Sequence, residues 1–235
     1  MSHATADKRY LVLIPARGGS KRLPGKNLMK IDDHSLIGRA ILCVKDVVNG
    51  DICITTDDLA IANEARRYGP YVPFMRPEHL ATDDAKTIDV VMHAVQWFAD
   101  NGRFFDAVVV LQPTSPLRSE KHLREAIALF ERQRAEAVVS VCKLEHPLEW
   151  CAELGPTGSM EKFGETLDTQ KRSQEFAQRY RLNGAIYIYD IKALSASRGF
   201  FYNDRTFAYE MDSASSIDVD TSIDFQLAKF WNDII

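Results

Sequence analysis

Short apolar runs alternate along the sequence with segments in which apolar residues recur at helical spacing. This alternation restricts the possible fold more than any other feature of the chain. The runs that indicate strands are RYLVLIP (9–15), DICITT (51–56), DAVVVLQ (106–112), AEAVVSVC (135–142), NGAIYIYD (183–190) and, late in the chain, TFAYEM (206–211). Apolar runs of this kind are typical of strands buried on both faces by intervening helices. The pattern therefore predicts an α/β fold with a doubly wound, mainly parallel sheet.

Five segments have the periodicity of amphipathic helices. Ser35, Asp57 and Ser119 are the predicted N-caps of the first, second and fourth, because their side chains can accept hydrogen bonds from the first turn. The apolar residues that mark these helices are, in chain order, Leu36, Ile37, Ala40, Ile41, Val44 and Val48; Ile61, Ala62 and Ala65; Ile88, Val91, Met92, Val95 and Phe98; Leu123, Ala126, Ile127 and Phe130; and Ile223, Leu227, Phe230 and Trp231.

The alternation is interrupted between residues 143 and 182. This segment contains the turn sequence GPTGS and a polar stretch with scattered aromatic residues, LDTQKRSQEFAQRYR. Such a composition indicates an excursion from the core, of the kind that a hairpin arm makes. With 235 residues, of which 46% are hydrophobic, the chain has the size of one large domain. We therefore predict a single domain over residues 1–235 with an inserted arm at 143–182.

Composition argues against several classes of function. The formal net charge of -4 disfavours a general nucleic-acid-binding surface. No segment is apolar for long enough to cross a bilayer, and the first ten residues lack the apolar stretch of a signal peptide, so we expect a cytoplasmic protein without a membrane partner. The cysteines show no metal-binding spacing and are expected to be reduced. They are Cys43, Cys53, Cys142 and Cys151.

The loop after the first predicted strand, ARGGSKRLPGKN (16–27), combines three glycines with four basic residues. Ligands of open α/β sheets bind beyond the carboxyl ends of the strands, which is where this loop begins. Its glycines permit backbone amides to converge on a phosphate, and Arg17, Lys21 and Lys26 can bind phosphate oxygens. The spacing matches neither the Walker A motif nor GxGxxG. The alternative, from composition alone, is a basic surface loop with solvated side chains.

Five motifs make the prediction more specific. They are IPARGGSKRLPGKN (14–27), RPEHLATDDA (76–85), LQPTSPLR (111–118), NGAIYIY (183–189) and SIDVDTSIDF (216–225). In sequence and in order they resemble the cytidylyltransferases that activate acylneuraminates and related nonulosonic acids. The resemblance extends from Ile14 to Phe225 and is weakest between Leu144 and Arg179. It implies a Rossmann-like nucleotidyltransferase fold, in which the arm serves dimerisation.

The resemblance also implies roles for individual residues. Arg17, Lys26 and Asp220 would be catalytic. Gln112 and Tyr187 would face the sugar acid, and Arg172, in the weakly matching arm, would hold its carboxylate. The residues that would bind CTP, through its phosphates, its ribose or its cytosine, are Arg17, Ser20, Lys21, Lys26, Asn27, Arg76 and the backbone around Ala85.

Two carboxylates near the end of the chain indicate a magnesium site. Asp218 and Asp220 are two residues apart in an extended SIDVD sequence, which places both side chains on one face. Carboxylates so placed repel each other unless a cation lies between them, and Mg²⁺ prefers oxygen ligands and bridges to substrate phosphates. The resemblance implies the same role. The alternative is that Asp220 or Thr221 only caps the final helix.

We therefore predict an enzyme that transfers CMP from CTP to the anomeric hydroxyl of a sialic-acid-like nonulosonic acid, such as N-acetylneuraminate, legionaminate or pseudaminate, with Mg²⁺ as cofactor. The resemblance implies a homodimer whose arm reaches the neighbouring subunit's site; a lid on its own subunit is the alternative. Two other functions stay open. One is a 3-deoxy-manno-octulosonate cytidylyltransferase, whose opening loop also contains a stretch like RLPGK (22–26). The other is a non-catalytic nucleotide-binding regulatory protein. The prediction requires Lys26 and Asp220 to lie in one cleft.

Overall fold

The computed structural model describes residues 8–166, 171–197 and 199–235. The strands are β1 (Tyr10–Pro15), β2 (Lys30–Ile31), β3 (His34–Ser35), β4 (Gly50–Thr55), β5 (Ala107–Val110), β6 (Ala137–Lys143), β7 (Tyr180–Asp190) and β8 (Thr206–Glu210). Six of them form a central sheet in the order β4–β1–β5–β7–β6–β8, while β2 and β3 form a separate antiparallel pair. Each strand of the central sheet coincides with an apolar run of the sequence, so the positions of the strands are confirmed.

The central sheet is mostly parallel, as predicted. β1 runs parallel to both β4 and β5, and β6 runs parallel to β8. Only β7 runs against its neighbours β5 and β6. Its direction follows from the arm, because the chain leaves β6 at Lys143 and returns at Tyr180, which is paired with Lys143. A strand that re-enters beside the end of its predecessor must run back along it.

Seven α-helices are described, and they cover both faces of the sheet. They are α1 (Leu36–Leu42), α2 (Leu59–Arg66), α3 (Thr87–Asp100), α4 (Glu120–Arg132), α5 (Glu161–Thr166), α6 (Ile191–Ser197) and α7 (Ser222–Asn232). On one face α1, α2 and α4 contribute fully buried residues such as Ile41, Ala65 and Phe130. On the other face α3 and α6 contribute Phe98 and Leu194. The doubly wound architecture is thus confirmed, with two apolar layers that keep the sheet out of water.

Two of the predicted helix caps are confirmed and one is wrong. The Ser35 Oγ accepts a hydrogen bond from the Gly38 amide at 3.1 Å, and Ser119 caps α4 in the same way. The cap of α2 is Asp58 and not Asp57: the Asp58 carboxylate accepts from the amides of the first turn. Local sequence does not show which of two adjacent aspartates caps a helix. In this structure the Asp57 carboxylate accepts a hydrogen bond from the Gly18 amide, in the loop after β1.

Helix α1 is shorter than its apolar pattern suggested. It ends at Leu42, and the chain continues in turns through residues 43–47, although Val44 is still fully buried. The final helix, α7, exists as predicted, but it buries Phe225 and Ala228. Of the residues that marked it in the sequence, Ile223, Leu227 and Phe230 are exposed.

The excursion predicted for residues 143–182 is a segment outside the sheet that lies between β6 and β7. Its described parts contain α5 and two short 3₁₀ turns, Leu148–Trp150 and Ser173–Glu175. The ends of the predicted arm belong to the β6–β7 ladder, and residues 167–170 lie outside the described part of the chain. Within the described residues, no helix has the length and apolar character needed to cross a membrane.

Candidate active site

A cleft of about 600 Å³ opens at the carboxyl ends of the parallel strands β1, β4 and β5. This is the position at which an open α/β sheet binds ligands. The cleft is lined by Pro15, Arg17, Ser20, Lys21, Arg22, Lys26, Asn27, Arg76, Leu80, Thr82, Asp83, Ala85, Thr87, Val90, Gln112, Pro113, Thr114, Asp218 and Asp220. All of the residues predicted to bind nucleotide or metal are in this set. Of the three predicted to bind sugar, Gln112 is included, and Tyr187 and Arg172 are not.

The loop of residues 16–27 forms one wall of the cleft and is fixed from within. The buried side-chain amide of Asn27 donates to the Arg17 carbonyl at 3.0 Å, which ties the end of the loop to its beginning. Gly25 has φ 69°, a left-handed conformation that favours glycine, and it directly precedes the 3₁₀ turn Lys26–Leu28. The Gly18 amide donates to the Asp57 carboxylate at 3.1 Å. The Gly18 amide is thus paired within the protein, and convergence of the glycine amides on a ligand stays a prediction.

Lys26 and Asp220 meet in the cleft although they are far apart in sequence. The Lys26 Nζ donates to the Asp220 Oδ1 at 2.9 Å and to the Val219 carbonyl at 3.0 Å. The Arg22 Nη1 donates to the second carboxylate oxygen of Asp220 at 2.8 Å. The hydrogen bond from Lys26, together with both cations, lowers the pKa of the Asp220 carboxyl from its ordinary value. The requirement that Lys26 and Asp220 share one cleft is met.

The opposite wall carries a second carboxylate that binds the other two cations of the loop. The Arg17 Nη1 lies 2.9 Å from the Asp83 Oδ1, and the Lys21 ammonium contacts the Asp83 Oδ2. Arg17 also donates to the Thr82 carbonyl at 3.2 Å. The hydrogen bond from Lys21 is the largest of the effects that lower the pKa of the Asp83 carboxyl. All four basic side chains of the loop are thus paired with carboxylates in the cleft.

Asp218 has a different environment from that of Asp220. Partial desolvation raises the pKa of its carboxyl, and the nearby charge of Asp220 acts in the same direction, while a hydrogen bond from the Thr114 side chain and the charge of Lys26 oppose them. The backbone is fixed here as well, because the Val219 amide donates to the Thr114 carbonyl at 2.7 Å. The residue itself is exposed to solvent, and two neighbouring carboxylates that repel each other are the kind of groups that binding of a cation stabilises.

The donor set fits magnesium. Among the described residues, no group of three or more acidic, histidine or cysteine side chains forms a metal cage. Mg²⁺ typically takes one or two protein carboxylates and completes its shell with water and substrate phosphates. Asp218 and Asp220 both line the cleft beside the cationic loop, so they supply the two carboxylates that such a site needs.

Arg76 lies at the inner end of the cleft and is almost fully buried. Its guanidinium donates to the Thr55 carbonyl at 2.6 Å and to the Thr55 hydroxyl at 3.1 Å. Burial lowers the pKa of Arg76, and the carboxylate of Asp57 opposes that effect. The end of β4 therefore fixes this guanidinium, beside the cleft-lining residues Leu80, Ala85 and Val90.

Gln112 follows β5 and is held against β7. The Arg118 Nη1 donates to the Gln112 carbonyl at 3.0 Å and to the Ala185 carbonyl at 2.8 Å, which joins the turn after β5 to β7. At Gly184, where φ is 76°, an added Cβ would come within 3.1 Å of the Gln112 Oε1. Glycine at this position leaves room for the Gln112 side chain.

Neither Tyr187 nor Arg172 lines the cleft, but Tyr187 is the nearer of the two to the residues that do. Tyr187 is half-buried on β7 and stacks on Phe200 with 6.1 Å between ring centroids. Burial is the main cause of its raised pKa, and the charge of Asp218 contributes, which places Tyr187 near that carboxylate. Arg172 is exposed on the arm and precedes the turn Ser173–Glu175. The structure does not bring it together with the other predicted site residues.

Several site residues were not found from the sequence. Asp83, Arg22 and Thr114 interact directly with predicted site residues, and Arg118 positions Gln112. All four were within the motifs that carry the family resemblance, but nothing in their local spacing indicated which partner each would contact.

The fold and the cleft together define a class of protein, an α/β nucleotide-binding enzyme with a cation-lined cleft at the ends of its parallel strands. The chain belongs to the cytidylyltransferase family, which its sequence matches over residues 11–229. It is 36% identical to the CMP-N,N'-diacetyllegionaminic acid synthase of Legionella pneumophila, over 94% of this chain and 95% of that one. It is 32% identical to the N-acylneuraminate cytidylyltransferase of Escherichia coli, over 94% of this chain and 51% of that one.

Other similarities are lower. The chain is 28% identical to the pseudaminic acid cytidylyltransferase of Campylobacter jejuni, over 94% of this chain and 95% of that one. Among solved structures, it resembles CMP:2-keto-3-deoxy-manno-octonic acid synthetase complexed with CTP, with a TM-score of 0.68 and 17% identity, over 96% of this chain and 99% of that one. It also resembles 4-diphosphocytidyl-2C-methyl-D-erythritol synthase from Anaerococcus prevotii, with a TM-score of 0.63 and 12% identity, over 96% of each chain. These structural similarities confirm the fold.

Proposed function

We propose that the protein transfers CMP from CTP to the anomeric hydroxyl of a nonulosonic acid and releases pyrophosphate. One observation carries this proposal: four cations of one loop and two aspartates from a distant motif line the same cleft, with Lys26 and Asp220 in contact at 2.9 Å. The substrate class is supported by the relatives, whose names include legionaminic, pseudaminic and acylneuraminic acids.

In this reaction the anomeric hydroxyl gives up its proton to solvent as its oxygen bonds to the α-phosphorus, and the bond from that phosphorus to the bridging oxygen of the β-phosphate breaks. Pyrophosphate leaves in line with the attacking oxygen and takes the electron pair of the broken bond. The transition state spreads negative charge over the phosphate oxygens, so positioning and charge stabilisation account for most of the catalysis. Arg17, Lys21 and Lys26 would supply this stabilisation, and Ser20 and Asn27 would position the loop and the nucleotide.

Asp218 and Asp220 would hold Mg²⁺, which would neutralise phosphate charge and make the α-phosphorus more electrophilic. Asp220 is now bound by Lys26 and Arg22, so these cations would turn toward the phosphates when the carboxylate becomes a metal ligand. Arg76 and the backbone around Ala85 would contact the cytosine and ribose at the inner end of the cleft.

The sugar acid would lie at the other end of the cleft, near Gln112 and Tyr187. Arg172 is exposed on the arm, away from these residues, so its proposed contact with the sugar carboxylate requires either movement of the arm or the arm of a second subunit. The second arrangement agrees with a homodimer. We therefore propose a homodimer of single-domain subunits in which residues 143–182 form the dimerisation element, and a cytoplasmic location. Light scattering that shows only monomer at working concentration would favour a lid on the same subunit.

A 3-deoxy-manno-octulosonate cytidylyltransferase is the alternative that the structural similarity supports. That similarity is accompanied by 17% identity, whereas the nonulosonate relatives are 28% to 36% identical over nearly the whole chain. A competition assay with 3-deoxy-manno-octulosonate and N-acetylneuraminate separates the two functions, because only the true acceptor should be converted to a CMP-sugar at low concentration.

Pyrophosphate release with CTP and Mg²⁺ is the direct test of the proposal. The protein is assayed against N-acetylneuraminate, N,N'-diacetyllegionaminate, pseudaminate and 3-deoxy-manno-octulosonate, with CTP alone as the control. We expect release that depends on one of the first three acids. Binding of CTP without release for any acid in the panel would instead support a non-catalytic regulatory protein.

A further inference from the structure

The four basic side chains of the 16–27 loop are shared between two carboxylates from distant parts of the chain. Lys26 and Arg22 bind Asp220, which belongs to the proposed magnesium site. Arg17 and Lys21 bind Asp83, which lies in the loop between the turn Glu78–Leu80 and α3. Asp83 has no assigned role in the reaction, yet it binds two of the cations proposed to hold the triphosphate.

The geometry around Asp83 resembles that of a bound phosphate. Its two carboxylate oxygens are used separately, the Oδ1 by the Arg17 guanidinium and the Oδ2 by the Lys21 ammonium. A phosphate group presents oxygens to Arg and Lys in a comparable way. The lowered pKa of the Asp83 carboxyl keeps it ionised at neutral pH, so the two cations have an anionic partner before any nucleotide enters.

These ion pairs are accessible to solvent and therefore exchangeable. The exposed side-chain fractions are 42% for Asp83, 36% for Arg17 and 80% for Lys21. Exposed ion pairs contribute little stability, so a ligand with higher charge can displace the carboxylate. Arg17 also donates to the Thr82 carbonyl, which keeps its guanidinium directed at this wall while Asp83 is the acceptor.

We propose that Asp83 is a positioning and specificity-determining residue whose carboxylate holds Arg17 and Lys21 and is exchanged for the β- and γ-phosphate oxygens when CTP binds. This inference rests on the proposed function, since it takes the loop cations to be the triphosphate site. Asp83 orders the two cations, and it also competes with the ligand for them.

The exchange makes binding depend on the charge of the ligand. A triphosphate or pyrophosphate replaces the carboxylate with several phosphate oxygens and recovers both ion pairs. CMP has no β- or γ-phosphate, so it does not reach the two cations that Asp83 occupies. When pyrophosphate leaves, the carboxylate returns to Arg17 and Lys21, which favours release of this product over rebinding.

Calorimetric titration of three proteins in the presence of Mg²⁺ tests the exchange. The ligands are CTP, pyrophosphate and CMP, and the proteins are wild type, Asp83→Asn and Asp84→Asn. Asp84 is the matched control, because it is the exposed neighbour and takes part in none of the ion pairs of the described residues. We expect Asp83→Asn to lower the Kd of CTP and of pyrophosphate by about 3- to 10-fold and to leave that of CMP unchanged.

Steady-state kinetics provide the second readout. In Asp83→Asn the KM for CTP should fall in step with the Kd, inhibition by pyrophosphate should become stronger by a similar factor, and kcat should not rise. Asp83→Glu keeps the charge and should restore wild-type values, and Asp83→Ser repeats the test without an amide that could still accept a hydrogen bond.

The outcomes separate the two proposals. Weaker or unchanged CTP binding in both Asp83→Asn and Asp83→Ser would overturn the exchange, as would equal effects on CTP and CMP. Wild-type protein that binds no CTP and releases no pyrophosphate would contradict the proposed function itself.

Discussion

Replacement of Asp220 by asparagine is the perturbation that most directly tests how the cleft is built. The carboxylate accepts from the Lys26 Nζ at 2.9 Å and from the Arg22 Nη1 at 2.8 Å, and it lines the cleft with Asp218. Asparagine keeps the size and one acceptor oxygen but removes the negative charge. The substitution therefore changes two ion pairs and one proposed metal ligand with little change in packing.

The expected loss of stability is small. The exposed side-chain fractions are 40% for Asp220 and 75% for Arg22, so solvent screens this ion pair. Lys26 is only 14% exposed, but it keeps its hydrogen bond to the Val219 carbonyl when the carboxylate is removed. Exposed pairs contribute about 0–1 kcal/mol, and we expect the free energy of unfolding to fall by about 1 kcal/mol in total. Because the pKa of Asp220 is lowered in the folded state, its stabilisation is present above its ordinary value of 3.8 and is lost as the pH falls through the lowered one. The difference in stability between wild type and variant should therefore disappear in acid.

The expected loss of activity is much larger. A metal ion bound at a transferring phosphoryl group contributes several kcal/mol to the transition state, and each 1.36 kcal/mol is tenfold in rate. Loss of about 3 kcal/mol of that effect corresponds to a fall in kcat of roughly 100-fold. This exceeds anything that a stability change of about 1 kcal/mol produces in a folded enzyme.

The assay is pyrophosphate release at saturating CTP and acceptor, with Mg²⁺ raised until the rate no longer changes. Urea unfolding between pH 3 and pH 7 measures stability on the same samples. Asp233→Asn, which follows α7 at its far end, controls for a neutral substitution near the same helix. A kcat within about threefold of wild type at saturating Mg²⁺ would refute the metal role of Asp220.

Three further predictions concern the same cleft. Lys26→Ala should lower kcat/KM for CTP by about 100-fold, because the side chain is only 14% exposed and its charge therefore acts with little screening by solvent, whereas Lys30→Ala should not. Equal effects of the two substitutions would remove this assignment. Asp218→Asn should abolish turnover and raise the free energy of unfolding at pH 7 only slightly, because the pKa of this carboxyl is raised and its ionised form is unfavourable above that pKa, while solvent screens the exposed side chain. Thermal melts check the stability, and a lower midpoint would contradict the expectation. Removal of divalent ions with EDTA should stop pyrophosphate release, and added Mg²⁺ should restore it. A continuous assay of pyrophosphate follows both changes. Undiminished release in EDTA would exclude Mg²⁺ as a cofactor.

The positions of the strands could be predicted because burial on both faces leaves a continuous apolar signal. The direction of each strand has no such signal. The run at 183–190 is as apolar as the others, but β7 is antiparallel because the arm returns the chain beside Lys143. Strand direction is decided by the connection, and in this chain that connection is the segment with the weakest pattern.

The residues of the candidate site could be predicted from the sequence, but the ion pairs between them could not. Basic residues and glycines after a buried strand indicate an anion site on their own. That Lys21 contacts Asp83 while Lys26 contacts Asp220 depends on how two distant loops are brought to one sheet edge. Asp57 shows the same limit, because its carboxylate accepts from the Gly18 amide of a distant loop, while its neighbour Asp58 caps the helix.

The pairing also explains how a chain with a net charge of -4 maintains a strongly cationic loop. Four cations in one loop repel each other, and the carboxylates of Asp83 and Asp220 offset that repulsion. Under the proposals above, binding of Mg²⁺ and CTP would exchange the partners, with the aspartates of the 216–225 motif holding the metal and the cations holding the triphosphate. The loop cations have anionic partners both before and after CTP binds. The net electrostatic gain from binding is therefore the difference between two sets of ion pairs, and it is smaller than the number of charges suggests. The affinity for CTP should therefore depend as much on which carboxylate each cation leaves as on which phosphate it reaches.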